Sequence, residues 1–265
     1  LCSPEEYEAF YRATIGGLGL TGVISWAELQ LTPIANPLIE VETVRVRNLD
    51  EFYEVNAASE ADFRYTVCWI DILATGKNLG RGLYIRGNHA APVRTDLPRL
   101  RWSSRLSVPV EAPGWLLNPL TVRAFNFAYY RKQLRRVQAG VTPYEPFFYP
   151  LDAVARWNRI YGKRGFFQYQ CVVPAETHAM REILEVIAKS SGGSFLVVLK
   201  TFGNIASPGM LSFPRPGVTL ALDFPNRGEK TLRLFEQLDQ LVAAAGGALY
   251  PAKDARMPPE MFQRS

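Results

Sequence analysis

Phe-Phe-Gln-Tyr-Gln-Cys-Val-Val-Pro (166–174) opens a pattern that the last third of the chain runs through twice. A helix-forming stretch and Gly192-Gly193 follow it, and Ser-Phe-Leu-Val-Val-Leu-Lys (194–200) reads as the returning strand. The second pass starts at Val218 with Thr-Leu-Ala-Leu-Asp-Phe-Pro (219–225) and continues through a helix, Gly246-Gly247 and Ala-Leu-Tyr-Pro-Ala-Lys (248–253). Short apolar runs closed by Pro or Gly-Gly mark strands, and the stretches between them carry helical periodicity. Met180, Ile183, Leu184 and Ile187 form one stripe; Leu232, Phe235, Leu238, Leu241 and Val242 form another. A helix with a single stripe buries one side only. The expected fold is therefore α+β, an antiparallel or mixed sheet with helices on one face, built from ferredoxin-like duplicated strand-helix-strand units. The opposite face of such a sheet is free for a ligand.

Each pass ends on a lysine, Lys200 and Lys253. A lysine in an apolar strand costs desolvation unless it meets an anion or a polar ligand. Each lysine taken singly also reads as a charge guarding a strand edge. Strand alternation puts Gln168 and Gln170 on one face, and Lys200 on a face with Val198 and Phe202. Cys171 then points the other way, into inert core.

Upstream, Glu5 to Thr14 reads as a short helix, Val23 to Thr32 and Glu40 to Val46 as strands, and Asn48 as the cap of a helix reaching about Ala58. Tyr65 to Leu73 and Gly82 to Arg86 are further strands. Residues 88–119 are rich in Pro, Arg and Ser without periodicity, which marks a long loop, functional or partly disordered. Leu120 to Leu134 reads as a helix, and another starts at Asp152 and ends near Tyr161-Gly162.

Composition narrows the chemistry. The 265 residues are 48% hydrophobic and 21% charged, which describes a globular chain of one large or two modest domains. No apolar run approaches the ~20 residues of a membrane span, and the first residues do not read as a signal peptide. Three scattered cysteines, Cys2, Cys68 and Cys171, suit a reduced, cytoplasmic protein. With only His89 and His178, histidine triads and zinc sites are not expected, and no metal is. The formal charge of +5 is dispersed. Its densest patch, Arg131, Lys132, Arg135 and Arg136, is read as the solvated face of a helix, so a nucleic-acid partner is not expected. The chemistry is left to a cofactor.

Gly17-Leu-Gly19-Leu-Thr-Gly22 matches the dinucleotide fingerprint by letter, but that motif needs a strand before it and a helix after. Here the order is reversed, which leaves a helix C-cap and turn. Glycine at this density also lets a flat or phosphorylated ligand approach the backbone.

Six stretches taken together carry a resemblance: Ala-Thr-Ile-Gly-Gly-Leu-Gly-Leu-Thr-Gly (13–22), Val-Cys-Trp-Ile-Asp (67–71), Trp-Asn-Arg-Ile-Tyr-Gly (157–162), Gln-Tyr-Gln-Cys-Val-Val-Pro (168–174), Leu-Ser-Phe-Pro-Arg-Pro-Gly (211–217) and Ala-Lys-Asp-Ala-Arg (252–256). The chain resembles the FAD-linked oxidases of the vanillyl-alcohol oxidase superfamily, above all the branch that oxidises a polyprenyl-phosphoryl pentose at its 2′ position. The resemblance implies FAD as cofactor and oxidation of a sugar or lipid-linked sugar hydroxyl. It also implies a role in cell-wall precursor synthesis, a second epimerase or reductase subunit as partner, and peripheral contact with the inner membrane. It implies further that the chain is a fragment. Residues 1–36 would end an FAD-binding domain, 37–247 form the substrate (cap) domain, and 248–265 return to the FAD domain. By position, Gly17, Gly19, Gly22, Ile24, Tyr250 and Lys253 resemble residues around the flavin, Lys253 being the catalytic one. Trp69, Tyr161, Gln168, Gln170, Lys200, Phe202, Thr219 and Ala221 resemble the substrate pocket. The best-known members of the branch carry Asn and Cys where Thr219 and Ala221 stand here, which leaves the sugar open. An aldonolactone-type oxidase of a soluble sugar, or a cap fragment that only binds, are the alternatives.

Overall fold

The computed structural model describes residues 1–91, 106–190, 192–193, 195–254 and 256–263. After helix α1 (Glu8–Thr14), the chain forms β1 (Leu38–Val46), α2 (Leu49–Ala57), β2 (Tyr65–Ile70), β3 (Gly82–His89), β4 (Leu106–Ser107), α3 (Pro119–Arg131) and β5 (Val137–Pro143). There follow α4 (Tyr144–Phe148), β6 (Val154–Ala155), β7 (Phe166–Val173), α5 (Ala179–Ser190), β8 (Val197–Phe202), β9 (Gly217–Pro225), α6 (Glu229–Ala244), β10 (Ala248–Leu249) and α7 (Pro259–Gln263).

Eight strands make one sheet in the order β10-β7-β9-β8-β2-β3-β1-β5, and every pairing in it is antiparallel. The unit β7-α5-β8-β9-α6-β10, with spatial order β10-β7-β9-β8, is the ferredoxin-like arrangement expected from the repeat. The same order recurs upstream, read from the opposite end of the sheet: β1-α2-β2-β3-α3-β5 gives β2-β3-β1-β5. Two such units thus share one sheet, joined where β2 meets β8 through Cys68↔Leu199 and Trp69↔Val198.

The covered face holds Tyr169, Cys171 and Val173 of β7, Leu220, Leu222 and Phe224 of β9, Val197 and Leu199 of β8, and Cys68 and Ile70 of β2, all buried against the stripes of the helices. From α5 these are Met180, Ile183, Leu184 and Ile187; from α6, Phe235, Leu238 and Val242; from α2, Leu49 and Phe52. Each such side chain contributes about 1.5–3 kcal/mol by leaving water. Cys171 lies in this core as expected, and burial pushes its thiol up to about 12. The expected Asn48 cap is present: its side chain accepts the Glu51 N–H at 2.9 Å.

Four expectations are corrected. Val23 to Thr32 forms no strand; its alternating apolar side chains are exposed and no described strand pairs with it, and alternation without a ladder partner makes no sheet. The stretch from Asp152 is not one helix but two 3₁₀ turns, Pro150–Ala153 and Trp157–Tyr161, separated by β6 and by the left-handed Arg156 (φ 57°). The strand closing the second repeat is only Ala248–Leu249, so Lys253 sits in the turn beyond it. Pro251 stands at the second position of a β-turn closed by the Lys253 N–H on Tyr250 O at 3.3 Å, which takes the chain off the ladder. In the 88–119 loop, Asn88 and His89 complete β3, 106–107 pair with β6, and 92–105 lie outside the described residues.

Candidate functional site

The open face of the sheet is built in rows. Register places Gln168 beside Asp223; Gln170, Ala221, Val198 and Trp69 in the next row; and Val172, Thr219 and Lys200 in the third. The small side chains of Ala221 and Val198 make a floor. Gln168 and Asp223 bound it on one side, Thr219 and Lys200 on the other, with Gln170 and Trp69 at its ends, about 14 Å apart by three strand spacings.

Hydrogen bonds fix this frame. Gln170 Nε2 donates to Thr219 Oγ1 at 3.2 Å, and Gln168 Nε2 to Asp223 Oδ1 at 3.2 Å. The Tyr161 hydroxyl donates to Asp223 Oδ2 at 3.2 Å, and its ring stacks on Phe166 with centroids 4.4 Å apart. Trp69 Nε1 donates to Phe195 O at 2.8 Å, and its ring lies 4.6 Å from that of Tyr129. Burial in this setting pushes the Asp223 carboxyl up to about 6, against the opposing pull of its two hydrogen bonds and the nearby Lys253 charge. Desolvation lowers the Lys200 ammonium from the ordinary lysine value, and Lys200 forms no ion pair among the described residues.

Lys253 is delivered by a pinned turn. Tyr250 N donates to Gln170 O at 2.9 Å, and the Asp254 carboxylate accepts the Gln168 N–H. Beyond it, Arg256 makes a bidentate pair with buried Asp239 of α6 at 2.7 and 2.8 Å, and the Tyr169 hydroxyl donates to the same carboxylate at 3.0 Å. Lys253 therefore stands between two anchors and beside Asp223, its ammonium 5.8 Å from the Tyr250 ring centroid.

At the same end, Phe213 stacks on Tyr250 (4.8 Å) and meets Phe202 edge-on (5.8 Å). The loop carrying Phe213 also holds the glycine turn: Met210 N donates to Arg12 O, and Gly16 packs on Ser212. Gly19 and Gly22 have positive φ (77° and 128°), with open space where a Cβ would stand. Gly17 is buried in the end of α1, where a Cβ would meet Ala13 O, and Ile24 is exposed. The structure thus brings Lys253, Gln168, Gln170, Tyr161, Thr219, Ala221, Lys200 and Trp69 to one face of the sheet, with Phe202 and Tyr250 at its margin. Gly17, Gly19, Gly22 and Ile24 join it only through the 209–213 loop.

Asp223 is the member that sequence reasoning missed. Its signal was present, an acid two residues beyond Ala221 in an apolar strand, and so on the face of Thr219 and Ala221. A hollow of about 350 Å³ lies further along the same face, over Val41, Thr43, Leu83 and Ile85 and under Tyr129, Lys132 and Gln133. No group of three His, Cys, Asp or Glu side chains able to hold a metal occurs among the described residues.

In fold the chain is similar to a solved chitooligosaccharide oxidase: TM-score 0.56, 13% identity, all of this chain and 57% of that one. No family model matches the chain. Among curated proteins it is 35% identical to decaprenylphosphoryl-β-D-ribose oxidase of Mycolicibacterium smegmatis, over 95% of this chain and 56% of that protein. It is 33% identical to an uncharacterized protein in the mprA 5′ region of Streptomyces coelicolor, over 95% of this chain and 71% of that protein. The chain belongs to the FAD-linked oxidase family of these relatives. It spans a little over half the length of the named oxidase.

Proposed function

We propose that this chain forms the substrate-binding part of an FAD-dependent oxidoreductase that oxidises a sugar hydroxyl, the sugar being a polyprenyl-phosphoryl pentose attacked at its 2′ position. The observation that carries the reading is the convergence of Lys200, Gln168, Gln170, Thr219 and Lys253 on one sheet face, in a chain 35% identical to an oxidase of such a substrate. In this reading residues 1–36 and 248–265 belong with the cofactor domain and 37–247 with the substrate domain.

The residues suit the cofactor. The open backbone at Gly19 and Gly22 admits a flat or phosphorylated group, while Tyr250 and Lys253 offer an aromatic wall and a cation. These residues and Ile24 would hold the part of FAD that this chain contacts. When bound, FAD supplies the two-electron acceptor for oxidation of a carbinol to a ketone. The chain's own residues orient and balance charge. Gln168 and Gln170 present amides to sugar hydroxyls, with Asp223 and Thr219 fixing their orientation. Lys200, which forms no ion pair among the described residues, meets the substrate's phosphate. Lys253 stabilises the negative charge that develops at the oxygen losing its proton. Trp69, Tyr161 and Phe202 wall the floor and exclude water.

The test is turnover by the full-length polypeptide that contains this sequence, given polyprenyl-phosphoryl pentoses and, in parallel, free aldonolactones and chitooligosaccharides. Preference for the lipid-linked pentose, with a flavin absorbance spectrum, is expected. Turnover of free sugars alone would assign a soluble-sugar oxidase, and absence of flavin would leave a binding module.

A further inference from the structure

Helix α3 turns an unusual face to solvent. Val122 and Asn126 bury its inner side, where Asn126 Nδ2 donates to Asp71 Oδ1 at 2.7 Å and Tyr130 donates to Val46 O at 3.1 Å. Its outer side carries Leu120, Arg123, Ala124, Phe127, Ala128 and Arg131, which fall within one arc at helical spacing. Leu120 is 75% exposed and Phe127 51%, and the Arg131 guanidinium lies 4.4 Å over the Phe127 ring. Beyond the helix end Leu134 is 84% exposed next to Arg135.

An ordinary solvated helix face mixes Glu, Lys and Gln. This one has no acidic and no neutral polar residue. The sequence from 112 to 144 contains five basic residues and no Asp or Glu. One of the five, Arg136, is spent on buried Glu51 at 2.8 Å, and Lys132 sits 3.5 Å over the Tyr129 ring. Arg123, Arg131 and Arg135 keep their charge outward, beside Leu120, Phe127 and Leu134. The expectation of a plain solvated face for Arg131 and Arg135 therefore does not account for the apolar side chains between them.

We infer that the outer face of α3, with Leu134 and Arg135, docks this chain on an anionic lipid bilayer. Leu120, Phe127 and Leu134 enter the boundary between headgroups and acyl chains, while the arginines, long enough to reach outward, pair with lipid phosphates. Nucleic acid is the poorer match for this chemistry, because a phosphate backbone gives nothing to exposed leucines. The inference goes beyond the oxidase reading and does not need it, since no flavin or sugar enters the test.

The full-length polypeptide that contains this sequence is to be sedimented with vesicles of phosphatidylcholine alone and of phosphatidylcholine mixed with phosphatidylglycerol, at low and high salt. Retention on the anionic vesicles only, weakening with salt, is expected. Replacing Leu120, Phe127 and Leu134 by Ser, or separately Arg123, Arg131 and Arg135 by Gln, should each weaken retention on the order of a hundredfold with circular dichroism unchanged. Trp115, 72% exposed and one turn before the helix, gives a readout in the unmutated chain: brominated phosphatidylglycerol should quench its emission, and Trp115→Phe should abolish that part of the quenching. No retention on anionic vesicles overturns the inference. So does retention that the two triple variants leave unchanged, self-association abolished by the serine variant without vesicle binding, or DNA binding that outcompetes the vesicles.

Discussion

Asp223 concentrates the strain of the site in one side chain. It is 5% exposed, and its carboxyl is pushed up to about 6 by burial. The folded state therefore holds the proton more tightly than the unfolded chain does. Between about pH 4 and 6 the folded form binds more protons, so stability falls as pH rises through that window. A shift of this size corresponds to something on the order of 2–3 kcal/mol at neutral pH. Asp223→Asn keeps one acceptor oxygen for the Gln168 amide, turns its own N–H toward the Tyr161 hydroxyl oxygen, and has nothing to ionise. Urea denaturation across this range should show the slope flattened and neutral stability raised by about that amount; an unchanged slope would place the titrating group elsewhere. Lys253 works in the opposite direction, since its charge lowers the Asp223 value. Lys253→Met should move the carboxyl titration further up, readable by carbon NMR of the Asp223 side chain, and an unmoved titration would separate the two residues. Neither residue's role was fully legible beforehand. Lysine at 253 stands out in an apolar stretch, whereas the acid at 223 acquires meaning only once register sets it beside Gln168.

Elements explain why Lys253 is held although no strand carries it. The turn from Tyr250 to Asp254 borrows the edge of β7 through two backbone contacts, and Arg256 then locks onto Asp239 of α6. The pair is largely buried, with side chains 17% and 6% exposed, so deleting the arginine leaves an uncompensated carboxylate in the core. Arg256→Met should cost about 3–5 kcal/mol in denaturant stability. If the anchor serves the site, hydrogen exchange at 250–254 should also rise more than in a core variant of equal cost such as Leu238→Ala. Equal exchange would make the pair purely structural. The helices were legible because their stripes point at one covered face, and the Asn48 cap because its chemistry is local. The short turns around Tyr161 were not, because Arg156 adopts a left-handed conformation that helical periodicity does not reveal.

At the scale of the molecule, the doubling was only half visible. The downstream unit announces itself through two matching strand-helix-strand passes. Its upstream counterpart is disguised by the long 90–118 insertion before α3, and by α3 itself, which leaves the usual helical layer to set Tyr129 against Trp69 on the open face. The two units meet along the short β2–β8 pairing, and Trp69 stands at that seam, on the floor's edge, bonded across it to Phe195. The site is thus not owned by either unit: Lys200, Thr219 and Gln170 come from one and Trp69 from the other. A seam this short has to be reinforced by the core beneath it, where Leu199 and Cys68 are fully buried opposite each other. Leu199→Ala should therefore cost about 2–5 kcal/mol, and the more telling measurement is how the loss is shared. If the seam couples the units into one cooperative body, amide protection should fall together in β1 and β3 and in β7 and β9, with a single denaturation transition. If protection falls in one unit while the other keeps its own, the sheet is continuous in hydrogen bonds but divided in stability, and the Trp69 wall moves independently of the lysines it faces.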